Sequence, residues 1–422
     1  MNILFLTMSS DIETFQARGI YTDLMRKFRD NGHVVYIVFP RERKYGLPTR
    51  VREHDGVHLL GVKTLNVTKS NVIEKGIGQV SIEFLYKKAI RKYFAGVSFD
   101  LILYSTPPIT FPKVIEYAKR TNPNTKTYLL LKDIFPQNAV DMGMLSNTGL
   151  KGLLYMFFRA KEKKLYALSD YIGCMSPANV EYVLRQNPEI SADRVEVAPN
   201  SLELVENVQI LKQVQDDTSS VDSFKSQVLS IKKLPEALME AFRNGKPVFI
   251  YGGNLGVPQG IPFLIECLEA NADRKDCHFV VVGSGTYYQK LAQWYEVHQP
   301  KAVSVMKGLP KEDYDRLVQA CQVGLIFLDY RFTIPNFPSR LLSYLEYKMP
   351  VIACTDPNCD TGSIAEANGF GIYAPSNSVA AFTQAVDKML GSDMTAMGEK
   401  GYKFLKENYL VEHTYNQIMK HF

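Results

Sequence analysis

The chain has 422 residues, more than one ordinary hydrophobic core holds, so two or three domains are expected. Its 46% hydrophobic and 22% charged residues are ordinary for a soluble globular protein and set aside disordered and fibrous classes. A net charge of +5 is modest for this size, and no nucleic-acid partner is expected. The six cysteines, at 174, 267, 277, 321, 354 and 359, form no C-x-x-C pair and sit in mostly apolar contexts, which suits reduced thiols in a cytoplasmic protein. The opening MNILFLTMSS lacks a basic flank and a cleavage site and reads as a first strand. No run approaches the roughly 18 apolar residues of a membrane span.

In chain order, strands are expected at NILFLTM, HVVYIVF, VHLLGV, DLILYST, KTYLLLK, YIGCMS and VEVAPN, with helical patterns between most of them. His33, just after a helix-ending glycine, reads as structural. Residues 63–94 hold seven Lys/Arg against Glu74 and Glu83, an excess equal to that of the whole chain. There Lys87, Lys88, Arg91 and Lys92 interleave with Phe84, Leu85, Tyr86, Ile90, Tyr93 and Phe94. Two readings stay open: an interfacial helix on an anionic membrane, or a solvated helix packed on its own domain. At the end of KTYLLLK, Lys132 and Asp133 are candidates for acid/base or substrate work, with a turn-capping role for Asp133 as the alternative.

Residues 204–247 turn polar and poor in strand signals, and a linker or insertion is expected there. The alternation restarts with VFIYGGN, HFVVVG, VSVMKG, VGLIFLD, PVIACT and GFGIYA, followed by helical patterns at 378–390, 393–407 and 411–421. Such alternation implies parallel sheets covered on both faces, with ligands at the carboxyl ends of the strands. Glycines 252, 253, 256 and 260 follow one strand and Gly283 another; they serve either a tight strand-to-helix turn or the approach of backbone amides to phosphate. The sequence is neither G-x-G-x-x-G nor a P-loop. In IPNFPSRLLSYLEYKMPVIACTD, Glu346 lies one turn after Leu342, at the edge of an inward face, where it needs either water, a cation such as Arg340 or Lys348, or a ligand.

The succession RGIYTDLMRKFRDNGHVVYIVFP, FDLILYSTPPIT, LLLKDIFPQNAVDMGML, SDYIGCMSPANVEYVL, VEVAPNS, YGGNLGVPQGIPFLIECL, VVGSGTYYQKL, VMKGLPKEDYDRLVQACQVGLIFL and NFPSRLLSYLEYKMPVIACTD resembles bacterial family-4 glycosyltransferases across nearly the whole chain, and more narrowly the branch that builds O-antigen and capsular polysaccharide. The resemblance implies the α/β GT-B fold: two Rossmann-like, doubly wound domains facing across a cleft, with C-terminal helices crossing back to the first. The boundaries expected are 1–203 for an acceptor-binding domain, 204–247 for the linker, 248–395 for a nucleotide-sugar domain and 396–422 for the closing helices.

It further implies retention of anomeric configuration without a metal or cofactor, a UDP-linked sugar as co-substrate, and a polyprenyl-diphosphate-linked saccharide as acceptor at the inner face of the cytoplasmic membrane. Glu346 matches the second glutamate of the family's Glu-x7-Glu, whose carboxylate accepts from both ribose hydroxyls. Residues 305–308, with Lys307 and Gly308, match the segment that reads the base, and Gly252, Gly253, Asn254 and Gly256 the loop under the diphosphate. Three departures matter. Pro338 replaces the first glutamate, which leaves the sugar to amides around Ser339; Asn254 and Gln259 stand where an Arg and a Lys are usual; and Lys132 precedes Asp133 where many members have a histidine. Arg340 is the leading candidate to meet the diphosphate charge. Rival expectations are a UDP-sugar 2-epimerase of similar fold and a non-catalytic nucleotide-binding subunit.

Overall fold

The computed structural model describes residues 1–67, 72–204, 228, 231 and 234–422, without the side chains at 72, 73, 75 and 76. Most of the expected linker 204–247, and positions 68–71 of the basic segment, lie outside these residues. The chain divides into two compact units: unit 1 is Met1–Glu203 with Thr333–Asn336 and Tyr409–Phe422, and unit 2 is Leu204–Phe332 with Phe337–Asn408.

Unit 1 runs β1 (Asn2–Leu6), α1 (Ile20–Asp30), β2 (Val34–Glu42), β3 (Arg50–His54), β4 (Val57–Thr64), α2 (Val72–Tyr93), β5 (Leu101–Ser105), α3 (Pro112–Thr121), β6 (Lys126–Leu131), α4 (Gln137–Asp141), α5 (Gly149–Leu168), β7 (Tyr171–Cys174), α6 (Pro177–Gln186) and β8 (Val195–Val197). Its sheet has the order β3-β4-β2-β1-β5-β6-β7-β8, parallel except for β3. Central strands such as β5 are buried at every residue, as a sheet covered on both faces requires. The strand β3 was not expected, because RVREH offers charge rather than alternation; it pairs antiparallel with β4 and closes the edge, where charged side chains reach water.

Unit 2 runs α7 (Glu236–Arg243), β9 (Val248–Asn254), α8 (Ile261–Ala270), β10 (His278–Ser284), α9 (Tyr288–His298), β11 (Val303–Lys307), α10 (Lys311–Ala320), β12 (Val323–Phe327), α11 (Arg340–Glu346), β13 (Val351–Thr355), α12 (Thr361–Ala367), β14 (Gly371–Pro375), α13 (Val379–Leu390) and α14 (Met394–Asn408). All six strands are parallel, in the order β11-β10-β9-β12-β13-β14, which reverses between β9 and β12. That reversal leaves a crevice at the strand ends on unit 2 itself.

The last helix, α15 (Val411–Met419), belongs to unit 1, where Val411 and Ile418 enter the core and Glu412 lies 2.5 Å from Lys27 of α1. His33 Nε2 stands 3.0 Å from the Tyr415 hydroxyl, a structural contact as expected. All six cysteines are buried and none is in a disulfide.

Of the two readings of α2, the structure bears out packing on its own domain for part of its apolar side. Tyr86, Ile90 and Phe94 do not interleave with the basic residues on an exposed face; they are buried in their own unit, and the Tyr86 hydroxyl donates to the Thr7 carbonyl at 2.8 Å. Phe84 alone of the aromatics points fully to solvent, and Lys87 is half-buried with its ammonium 5.9 Å from the Tyr117 ring. Lys88, Arg91 and Lys92 are exposed.

Candidate active site

On unit 2 the candidate donor residues gather at the ends of three neighbouring strands. The β9–β10 register sets Gly252 opposite Val282, Gly253 opposite Gly283 and Asn254 opposite Ser284, and the β10–β11 register sets Gly283 opposite Lys307. Three of the glycines are steric necessities. Gly253 has φ +121°, a backbone that side chains disfavour, and a Cβ on Gly283 would run into the Gly253 carbonyl oxygen. A Cβ on Gly252 would strike the Tyr314 hydroxyl. The turn and the close backbone approach are therefore one feature, since the same absence of side chains that lets β9 and β10 end tightly also uncovers their amides.

Asn254 and Gln259, where cations were usual, hold each other. Asn254 Nδ2 donates to Gln259 Oε1 at 3.0 Å, and the same oxygen accepts from the Gly256 amide at 3.2 Å. The loop is thus closed by neutral hydrogen bonds and brings no charge of its own to an anion.

Charge comes instead from Arg340, at the start of α11. Its guanidinium carbon lies 4.3 Å from the centroid of the Tyr251 ring, and its Nη2 would be 3.5 Å from a Cβ on Gly253. Tyr314 and Tyr344 complete an aromatic surround. Burial pushes Tyr314 up to about 12 and raises Tyr251 and Tyr344, so all three stay neutral. No carboxylate pairs with Arg340 among the described residues, and its Nη1 is buried without a hydrogen-bond partner. A guanidinium is always protonated, so a fixed positive charge with an unused donor stands beside the glycine loop.

Glu346 closes the same helix. It is 4% exposed, deeper than the edge position its spacing suggested, while Lys348 sits 2.7 Å from Glu399. Pro338 is half-buried and Ser339 exposed, just ahead of Arg340. Lys307 is exposed at the tip of β11 with its Nζ 5.8 Å from the Tyr288 ring, and Gly308 follows it, also exposed. Tyr251 and Tyr314, which shape the Arg340 setting, were not singled out in the sequence. Tyr251 could have been, because it immediately precedes the glycine pair on a strand end, whereas Tyr314 reaches Gly252 only through the packing of α10.

On unit 1, Lys132 and Asp133 follow β6 at the carboxyl end of the sheet. Thr106 Oγ1 ties the turn: it donates to the Asp133 carbonyl at 3.0 Å and lies 3.0 Å from the Lys132 amide. The two side chains do not pair with each other. Lys132 Nζ donates to the Ala198 carbonyl at 3.0 Å, and burial lowers its pKa to about 7. Burial raises Asp133 to about 6, with a hydrogen bond from Asn138 acting the other way. Both groups are therefore held near neutrality by desolvation and titrate close to physiological pH. Lys87, Lys88, Arg91 and Lys92 lie on α2 and form no ion pair among the described residues.

Residues 232–404 match the family described as Glycosyl transferases group 1. Over 350 residues, 81% of the chain and 78% of the relative, it is 22% identical to a probable glycosyltransferase, WbjE, of Pseudomonas aeruginosa. The chain has the GT-B fold, with a group 1 glycosyltransferase domain over residues 232–404. Among solved structures, sucrose-phosphate synthase from Thermosynechococcus elongatus superposes with a TM-score of 0.70 at 15% identity, covering 100% of this chain and 98% of that one. HepE of Anabaena, solved in complex with UDP and glucose, superposes with a TM-score of 0.65 at 14% identity, with coverage of 100% and 98%. Among the described residues, no helix is long and apolar enough to cross a membrane.

Proposed function

We propose that this protein is a retaining, metal-independent glycosyltransferase of family 4. It moves a hexosyl or N-acetylhexosaminyl group from a UDP-linked sugar to a polyprenyl-diphosphate-linked saccharide in O-antigen or capsular polysaccharide synthesis. It works peripherally at the inner face of the cytoplasmic membrane, with the acceptor on residues 1–203 and the donor on 248–395. The observation that carries the donor half is Arg340, a guanidinium set against Gly253 without a carboxylate partner among the described residues. The UDP and glucose held by HepE, a protein of the same fold, support a UDP-sugar.

In this reading the glycine-loop amides and Arg340 receive the diphosphate, and the guanidinium stabilises the negative charge that grows on it as the glycosidic bond breaks. The departing diphosphate takes the acceptor's proton on the same face, so no protein nucleophile is needed. Glu346 holds the ribose hydroxyls, Lys307 and Gly308 border the base, and amides around Pro338 and Ser339 meet the sugar. Asp133 orients the acceptor hydroxyl or assists its deprotonation, while the Lys132 ammonium beside it is held by the Ala198 carbonyl.

Thermal stabilisation by UDP-, GDP- and dTDP-sugars, followed by transfer assays with a short-chain lipid-linked saccharide, tests the proposal. UDP-sugars should stabilise and be consumed only with acceptor present. Conversion of the sugar without acceptor would make the protein an epimerase, and stabilisation without any turnover a binding subunit.

A pH profile tests Asp133. Its pKa is raised to about 6, so the ionised form needed for this role fills only above that value, and kcat/KM should climb through about pH 6. Asp133→Asn should erase that limb and lower the rate on the order of 100-fold. The stability effect has the opposite sense. Folding favours the protonated acid, so ionisation destabilises as pH rises from the ordinary carboxyl range through 6, and the Asn variant should outlast the parent on heating at pH 8 but not at pH 4. An unchanged acidic limb in the variant would assign it to another group.

A further inference from the structure

Nine of the seventeen large hydrophobic residues exposed among the described residues fall in two short stretches of unit 1, Ile77–Phe84 and Met144–Phe157. On α5 they form a stripe. Leu150, Leu153, Leu154 and Phe157 recur at i, i+3, i+4 and i+7, the spacing of an inward helix face, yet Leu150 is 87% and Leu153 63% exposed. Met156 of the same helix, also exposed, widens it, and Met144 is exposed just ahead of the helix. The helix is amphipathic with its apolar side turned to solvent, which a monomeric soluble surface rarely tolerates.

The second stretch lies on a neighbouring element. One turn beyond Phe157, Lys161 Nζ reaches 3.1 Å from Glu83 Oε2 of α2, and Phe84, the next residue of α2, is 68% exposed. Ile77, Val80, Phe84, Lys88 and Arg91 succeed one another at spacings of three, four, four and three, so they share one face of α2. That face is apolar over its first half and basic over its second, and Lys88, Arg91 and Lys92 are exposed with no carboxylate partner among the described residues.

We propose that this α5–α2 surface docks on an anionic bilayer, the α5 stripe and the apolar end of α2 entering the acyl boundary while Lys88, Arg91 and Lys92 meet the headgroups. Charge decides for a bilayer over a second copy of the chain. A two-fold contact through this self-same patch would gather the unpaired cations of two copies with nothing to neutralise them, whereas anionic headgroups supply the missing partners. The proposal deepens the reading of a lipid-linked acceptor and rests on it for its purpose, but its test needs neither donor nor acceptor.

The full chain is mixed with vesicles of phosphatidylcholine alone or with about 30% phosphatidylglycerol, enough to give a negative surface potential. Parent protein should sediment with the anionic vesicles and release as salt rises. A variant with Leu150, Leu153, Leu154 and Phe157 all changed to Ser should melt as the parent does, since these side chains are exposed, and lose about tenfold or more in vesicle affinity. Changing Lys87, Lys88, Arg91 and Lys92 to Ser should abolish the preference for anionic vesicles, each exposed cation near the surface being worth about fivefold. In a Phe157→Trp variant, emission should shift to the blue and be quenched by lipids brominated on their acyl chains, against the constant background of Trp294. Emission from the introduced indole that stays unshifted and unquenched while the protein sediments would overturn insertion by α5. So would a parent dimer that the Ser variant turns into monomer, which would make the stripe a contact between copies. These results stand whether or not sugar is transferred to a lipid-linked acceptor, so a failed acceptor reading is distinguishable from a failed docking surface.

Discussion

If the proposed donor site is right, Arg340→Met should cost the protein its grip on the diphosphate and little else. The methionine keeps an apolar stem of similar length and the fold should persist, but the guanidinium that lies over Tyr251 and beside Gly253 is gone. A hydrogen bond to a charged group is worth about 1.5 to 3 kcal/mol, so affinity for UDP should fall roughly ten- to a hundredfold by calorimetry while affinity for uridine is unchanged. The rate should fall further than binding does, by about 100- to 1,000-fold, because charge on the leaving diphosphate is greatest in the transition state. Arg340→Lys should recover only part of either loss, since an ammonium lacks the planar fork that engages two phosphate oxygens at once. The neutral Asn254–Gln259 bond makes the test sharper, because no cation on that loop stands ready to compensate. Equal losses for UDP and uridine would show that Arg340 supports the loop rather than the diphosphate.

The comparison of sequence with structure divides along a physical line. Strands such as β9, β10 and β13 were legible because a parallel sheet buried on both faces leaves near-continuous apolar runs bounded by glycine or polar turns. The edge strand β3 was not, since an edge can carry Arg50, Arg52 and Glu53 and owes its pairing to β4 rather than to its own pattern. On α2 the sequence left two faces open, and the fold divides them: Tyr86, Ile90 and Phe94 alternate with lysines in sequence but fall on the buried side, while the exposed side gathers Ile77, Val80 and Phe84. The apolar stripe of α5 escaped notice for a related reason. Its period is that of any core helix, and only the fold shows that the stripe points outward. At the candidate site the sequence pointed to Gly253 and Arg340 separately. That they stand together over Tyr251, and that Lys132 and Asp133 diverge instead of pairing, are consequences of tertiary packing.

Glu346→Gln should separate ribose recognition from every other contribution to donor binding. The substitution preserves shape at a position only 4% exposed, so packing and the melting temperature should hardly move. What changes is chemistry: a carboxylate offers two accepting oxygens to the two hydroxyls of a ribose, whereas the amide offers one acceptor and turns the other partner into a donor. The loss expected for UDP is about 1 to 3 kcal/mol, or roughly five- to more than a hundredfold in Kd. A matched ligand makes the assignment specific. UDP lacking both ribose hydroxyls should bind the parent more weakly than UDP does and bind the Gln variant with nearly the parent's reduced affinity, because the interaction removed from the protein is then already absent from the ligand. Arg340→Met should show the reverse pattern, weakening UDP and its dideoxy analogue by the same factor, since the diphosphate is common to both. Should Glu346→Gln leave the affinity for UDP where it was, the buried carboxylate serves the packing of α11 and the ribose is held by other groups.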